Sequence, residues 1–179
     1  MQIIQEVGFK RVVKYALFSC WQTIFDLLPF SPLRIFWLRL GGAKIGSNDF
    51  IDQVDFFNLD RTGLSGLAIG NHCFIGRNCL IDLAGQVTLD NWVTLSPRVI
   101  ILSHINVGLK HHLLLKHYPA QIGHTRIKSH CFLGVNTTVL SGVTISSQSM
   151  IAAGSLITRN FPGSSLIAGS PAQVKKRLT

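Results

Sequence analysis

The aliphatic residues of this chain keep time in sixes. Positions 69, 75, 81, 87, 93 and 99 hold Ile, Ile, Ile, Val, Val and Val, and the same phase reaches back to Ile51 and Ile45. After residue 100 the phase is lost. It returns, shifted, at 127, 133, 139, 145, 151 and 157 as Ile, Leu, Val, Ile, Ile and Ile. A helix repeats every 3.6 residues and a simple strand every 2, so neither explains the pattern. The residue two before each aliphatic is usually small, as at Cys73, Cys79, Gly85, Thr137, Ser149 and Ser155. A hexapeptide period marks a parallel β-helix: three short strands make one triangular coil of about 18 residues, and stacked coils bury the aliphatics between them. Residues 69–104 supply two coils, 127–162 two more, and 45–56 part of another. Cys73, Cys79 and Cys131 then occupy small inward positions as packing residues.

Three segments depart from the beat. Residues 12–30, VVKYALFSCWQTIFDLLPF, are apolar but interrupted by Lys14 and Asp26, and the clean run is too short to cross a membrane. A helical N-terminal segment, 1–40, is expected. It either packs on the body or a neighbouring copy, or lies on a membrane surface with Lys10, Arg11, Arg34 and Arg39 nearby. At the other end, Ser170-Pro171 reads as a helix start, with Ser as N-cap and Pro in the first turn. A short C-terminal helix over 171–179 follows, with Lys175, Lys176 and Arg177 near its end. Between about 103 and 125 the chain reads SHINVGLKHHLLLKHYPAQIGHT, a long excursion from a regular scaffold, where function tends to sit. The β-helix itself spans 41–170.

Charge sharpens the functional expectation. All eight acids lie within residues 1–90, where eight bases balance them, so the whole net charge of +9 falls on residues 91–179. That half attracts anions such as phosphates or an acidic membrane surface. Nucleic acid is not expected as a partner, because the bases are scattered singly and no helix-turn-helix, RRM or zinc-finger pattern is present. There is no CxxC and no secretory signal with a small-residue cleavage site, which points to a reduced, cytoplasmic setting.

The stretches IGNHCFIGRNCLID, VTLDNWVTLSPRVII and FLGVNTTVLSGVTISSQSMIAAGSLITRN resemble the hexapeptide-repeat acyltransferases over about 41–179. The lead LRLGGAKIG and the tail AGSPAQVKKR look like the subgroup that O-acetylates sugars of bacterial surface polysaccharides. The resemblance implies an all-β, left-handed parallel β-helix, a homotrimer, and acetyl-CoA as co-substrate with no metal. It implies that His104, at the start of the loop, is the general base that takes the proton of an acceptor hydroxyl as it attacks the thioester. A hydroxyl is almost fully protonated at neutral pH, whereas imidazole titrates near it. Such an imidazole is usually oriented by an acceptor on its other nitrogen, a carboxylate or equally a backbone carbonyl. Asp82, about one coil before His104, is the best candidate, since no acid follows residue 90.

The same resemblance places coenzyme A along the later coils, in a cleft between subunits. Phe132 stands where many relatives have Trp, before Leu133-Gly134. Ala152, Ala153 and Gly154 would let the pantetheine arm approach closely. Thr158-Arg159 matches a Thr-Lys or Thr-Arg near the nucleotide end, and Lys176 a phosphate-binding position. The acceptor is expected to be a sugar or saccharide, acting in the cytoplasm or peripherally at the inner face of the cell membrane. Three alternatives remain at this point. They are N-acylation of an amino sugar, a non-enzymatic trimeric scaffold, and a γ-class carbonic anhydrase-like zinc enzyme using His72, His112 and His117.

Overall fold

The computed structural model describes residues 8–108 and 111–178, so residues 1–7 of the N-terminal segment, residues 109–110 of the loop, and Thr179 lie outside it. The body is a left-handed parallel β-helix of about five turns. Its first face stacks β1 (Lys44–Ile45), β4 (Leu67–Ile69), β7 (Val87–Leu89), β12 (Thr125–Ile127) and β15 (Thr144–Ile145). The second stacks β2 (Phe50–Ile51), β5 (Phe74–Ile75), β8 (Thr94–Leu95), β13 (Phe132–Leu133), β16 (Met150–Ile151), β18 (Ser165–Gly169) and β19 (Ala172–Arg177). The third stacks β3 (Val54–Phe57), β6 (Cys79–Asp82), β9 (Ile100–Ile101), β14 (Thr138–Val139) and β17 (Leu156–Ile157).

Pairing register shows what the beat encodes. Ile69, Leu89, Ile127 and Ile145 lie on one ladder, Ile75, Leu95, Leu133 and Ile151 on the next, and Ile81, Ile101, Val139 and Ile157 on the third. All are buried. The expected phase through Val87, Val93 and Val99 is therefore corrected: Val87 pairs with Leu67, two residues before the ladder aliphatic. The link after Ile81 is longer than a six-residue corner, so the beat slips by two. Side chains two apart on a strand point the same way, and both positions face the core. The slip thus leaves the apolar spacing intact while moving it from one inward position to the other. Burial raises the thiols of Cys73 and Cys79 to about 11, which fits packing residues rather than nucleophiles.

Corners between strands need a left-handed residue, and the chain supplies it with Asn48, Asn78 and Asn136 but also with His72, Trp92 and His130. Asn tolerates that conformation; the bulkier residues do so at a cost. Here the corner side chains of successive coils stack, His72 on Trp92 at 4.2 Å and Trp92 near His130 at 6.0 Å between centroids. Such stacking contributes on the order of 0.5–1.5 kcal/mol per pair beyond burial.

Two elements close the ends. Helices α1 (Phe9–Leu27) and α2 (Ser31–Leu40) dock on the first coil. Trp21 stacks on Phe25 and Trp37, Phe25 meets Phe56 edge-on, and Arg34 pairs with Asp52 at 3.1 Å. Ser31 accepts the Ile51 amide at 2.8 Å.

The expected C-terminal helix over 171–179 is not formed. The chain turns at Ser170-Pro171, and β19 runs back antiparallel along β18, with Gly169 opposite Ala172. A helix there would leave the last parallel strand with an unpaired edge, whereas the hairpin satisfies it and buries Ala172.

Leu133 sits between Leu95 and Ile151, fully buried. Leu133→Ala is expected to cost about 2–5 kcal/mol, because stacked coils cannot collapse onto the cavity. A drop in urea midpoint at unchanged m-value checks this.

Candidate active site

The second phase of the beat begins only after a projecting arm. Between β9 and β12 the chain leaves the coil as β10 (His104–Ile105), passes a short 3₁₀ turn at Leu113–Lys116, and returns as antiparallel β11 (Gln121–Ile122). Buried Ser103 anchors the arm: its hydroxyl accepts the Gly85 amide and its carbonyl the Gly123 amide, both at 2.8 Å. A Cβ on Gly85 would stand 2.7 Å from Ile122 Cγ2, so only glycine lets the arm cross here. The first residue of the arm is His104.

Asp82, at the end of β6 one coil below, is fully buried directly under it. Its Oδ2 accepts the Ser103 amide at 2.8 Å and His104 Nδ1 at 2.5 Å. Its Oδ1 accepts the Ala84 amide at 3.1 Å and the Asn58 amide nitrogen at 2.8 Å. Burial by itself would raise the pKa of this carboxyl. The hydrogen bonds from Asn58, His104, Ser103 and Ala84 outweigh it and hold the group below its ordinary value. An ionised carboxylate only accepts, so His104 Nδ1 carries the hydrogen and Nε2 presents its lone pair. The imidazole is 21% exposed, and the edge of Phe57 abuts it at 6.4 Å between centroids.

The sequence-stated pair His104 and Asp82 is thus brought together. Asn58 was not anticipated. It stands in a left-handed corner just after β3, whose Phe57 pairs with Asp82. By residue type and conformation it looks like Asn48, Asn78 and Asn136, and only the stacking of the first coil on the second reveals its partner. Asn58→Ala is expected to raise the Asp82 pKa and lower turnover about tenfold, on the scale of one charge-assisted hydrogen bond. The acid limb of the stability–pH curve should move to higher pH, because a carboxyl depressed less loses its stabilising contribution sooner as pH falls.

The residues expected to hold coenzyme A fall into two groups. Thr158 and Arg159 follow β17, at the same corner of the prism as Asp82 and the root of the arm. Arg159 lies over the Phe161 ring, 5.6 Å from its centroid. Phe132 faces outward from β13, and Gly134, Ala152, Ala153 and Gly154 line the adjacent corner, on the far side of the β9–β14–β17 face. Gly134 and the small run are neighbours: a Cβ on Gly134 would lie 2.6 Å from the Ala153 amide nitrogen. Gly154 takes a left-handed corner, φ +70°, where the coils below carry Asn136 and Arg98, so here glycine leaves the corner bare, and Ala153 is exposed. Lys176 is exposed on β19, opposite Leu166. One chain therefore presents the two groups on different edges.

His72, His112 and His117 are not brought together. His72 belongs to the corner stack, and His112 Nδ1 accepts the Leu114 amide at 3.2 Å. Among the described residues no three His, Cys, Asp or Glu side chains converge to hold a metal ion.

A hexapeptide β-helix with an arm that opens on a carboxylate-held histidine can place an imidazole to take a proton from a hydroxyl. Residues 66–85 and 125–159 match the family model described as the hexapeptide repeat of succinyl-transferase. The chain is 26% identical over 145 residues to the galactoside O-acetyltransferase of Escherichia coli, covering 76% of this chain and 64% of that one. It is 26% identical over 141 residues to the putative colanic acid biosynthesis acetyltransferase WcaF of the same species, covering 79% and 72%. In fold it matches a hexapeptide-repeat acetyltransferase of Vibrio cholerae, solved with acetyl-coenzyme A. The TM-score is 0.79 at 18% identity, over 90% of this chain and 85% of that one. In sequence and in fold the chain is thus similar to acetyltransferases built on hexapeptide repeats.

Proposed function

We propose that the protein is an acetyl-CoA-dependent O-acetyltransferase whose acceptor is a sugar hydroxyl, acting in the cytoplasm on precursors of a bacterial surface polysaccharide. The observation that carries this reading is the His104–Asp82 pair, with Nδ1 held and Nε2 open. Nε2 takes the proton of the acceptor hydroxyl as its oxygen attacks the thioester carbonyl. The C–O bond forms, the C–S bond breaks, and the proton passes to the departing thiolate. The thioester is already activated, so no acyl-enzyme is required. Relatives named for galactoside and colanic acid acetylation support the sugar.

The division of the coenzyme A candidates between two edges supports a trimer in which neighbouring copies complete each cleft. Phe50, Phe74, Phe132 and Met150, all outward and exposed on the second face, would then be covered by the next copy or by the pantetheine arm.

The test is thiol release from acetyl-CoA with a panel of nucleotide sugars, oligosaccharides and amino sugars, with mass analysis of the product. Acceptor-dependent release with an acetyl ester on a sugar hydroxyl supports the reading. An acetamide product would move the acceptor to an amine. Absence of both thiol release and coenzyme A binding would overturn acetyl transfer altogether.

A further inference from the structure

Both N-terminal helices carry two apolar stripes, and the fold uses only one of each. On α1 the inner stripe is Phe18, Trp21 and Phe25, packed on the first coil and on α2. The outer stripe is Phe9, Val13, Leu17, Cys20, Ile24 and Leu27, spaced by three and four along the other side. It is exposed throughout, to 74% at Phe9 and 77% at Leu27. On α2, Leu33, Phe36 and Leu40 repeat the arrangement opposite buried Arg34 and Leu38. The link between the helices is apolar too. Its three residues are Leu28, Pro29 and Phe30, the last 65% exposed. So many large apolar side chains exposed on two helices and their turn is more than a water-facing monomer normally shows.

We infer that the outer face of α1 and α2 docks on the surface of an anionic lipid bilayer. Exposed Lys10 and Lys14, one turn apart, follow Phe9 and Val13 and border the stripe. Of the nearby acids, Asp60 pairs with Arg11 and Asp26 accepts from Gln22, while Asp55 is exposed on β3 beside Asp26. Lysine at the rim with aromatic and aliphatic side chains beneath is the pattern of a helix lying in the headgroup region. Among the described residues no helix is long and apolar enough to cross a membrane, so the pair would lie on the bilayer rather than through it. The inner side of α1 also lines a cavity of about 270 Å³ with Phe57 and Asn58, the residues that abut His104 and Asp82. Docking by the outer face would leave α1 between the bilayer and this cavity, one helix diameter (roughly 10 Å) from the lipid surface.

Vesicle co-sedimentation of the full chain tests this without any turnover, so its failure is separate from that of acetyl transfer. Binding is expected to vesicles of phosphatidylcholine with phosphatidylglycerol. The exposed double variant Leu17→Gln/Leu27→Gln should bind about tenfold more weakly or less. Lys10→Gln/Lys14→Gln should lose about tenfold on the anionic vesicles at low salt and little at high salt. Far-UV circular dichroism establishes that both variants remain folded. Wild-type protein left in the supernatant with every vesicle, or variants that bind as well as wild type, would overturn the inference. A lower sedimenting mass of the leucine variant without lipid would overturn it too, assigning the face to a second copy.

Discussion

His104→Ala is expected to slow acceptor-dependent thiol release by about 10²–10⁴-fold, the contribution of a positioned general base. The fold should tolerate the change. His104 lies at the start of the arm rather than in the coil core, and the arm stays anchored through Ser103, whose bonds to Gly85 and Gly123 do not involve the imidazole. Asp82 keeps the Ser103, Ala84 and Asn58 donors. The KM for acetyl-CoA should hardly move, because the coenzyme A candidates lie on later coils. Steady-state thiol release paired with calorimetric coenzyme A binding separates these effects. A variant with unchanged kcat would remove His104 from the chemistry, while one that lost coenzyme A binding as well would show that the arm, not the base, had been damaged.

The sequence carried this site in an uneven way. His104 was visible because the beat stops just before it, and Asp82 because its offset from His104 is close to one coil. Asn58 was invisible for the opposite reason. The first coil is enlarged by a short helix, α3 (Leu59–Thr62), and a 3₁₀ turn at Leu64–Gly66, so no fixed period links Asn58 to Asp82. The slip after Ile81 was hidden because two successive inward positions both accept aliphatics, and a count of apolar spacing cannot distinguish them. Register, read from Leu89 opposite Ile69 and Leu95 opposite Ile75, does.

The two ends show how local signals yield to the scaffold. Ser170-Pro171 has the chemistry of a helix start, but a bare strand edge lies within reach, and AQVKKR pairs with it instead. Propensity is a weak prior where tertiary pairing can satisfy a row of amides. At the N-terminus the helical reading held because Trp21, Phe25 and Leu38 supply a buried stripe at helical spacing. The second stripe needed the structure to appear, since a sequence apolar on two sides does not reveal which side is covered.

Asp82→Asn should be nearly as damaging as loss of the histidine, about 10²–10⁴-fold in kcat, and through orientation rather than proton transfer. The carboxylate accepts from four donors, and an amide can accept only at its oxygen. Its NH₂ must then face two of those donors, either His104 with the Ser103 amide or Asn58 with the Ala84 amide. Turned toward His104, it donates to Nδ1, shifts the ring hydrogen to Nε2, and removes the lone pair from the acceptor side. Turned the other way, it opposes Asn58 and the Ala84 amide. Either arrangement leaves a buried donor without a partner, and a stability loss of about 1.5–3 kcal/mol is expected at neutral pH. The pH dependence distinguishes this account from simple misfolding. The folded Asp82 carboxyl titrates below its ordinary value, so its contribution to stability is fully present above the unfolded pKa of about 3.9. That contribution is lost as pH falls through the lower folded value. The difference in unfolding free energy between wild type and Asp82→Asn should therefore be constant from about pH 5 to 8 and shrink below about pH 4. Urea titrations across that range measure it directly. A difference that persisted unchanged into acid would mean that the buried group is not an ionised carboxylate, and the tautomer assigned to His104 would fall with it.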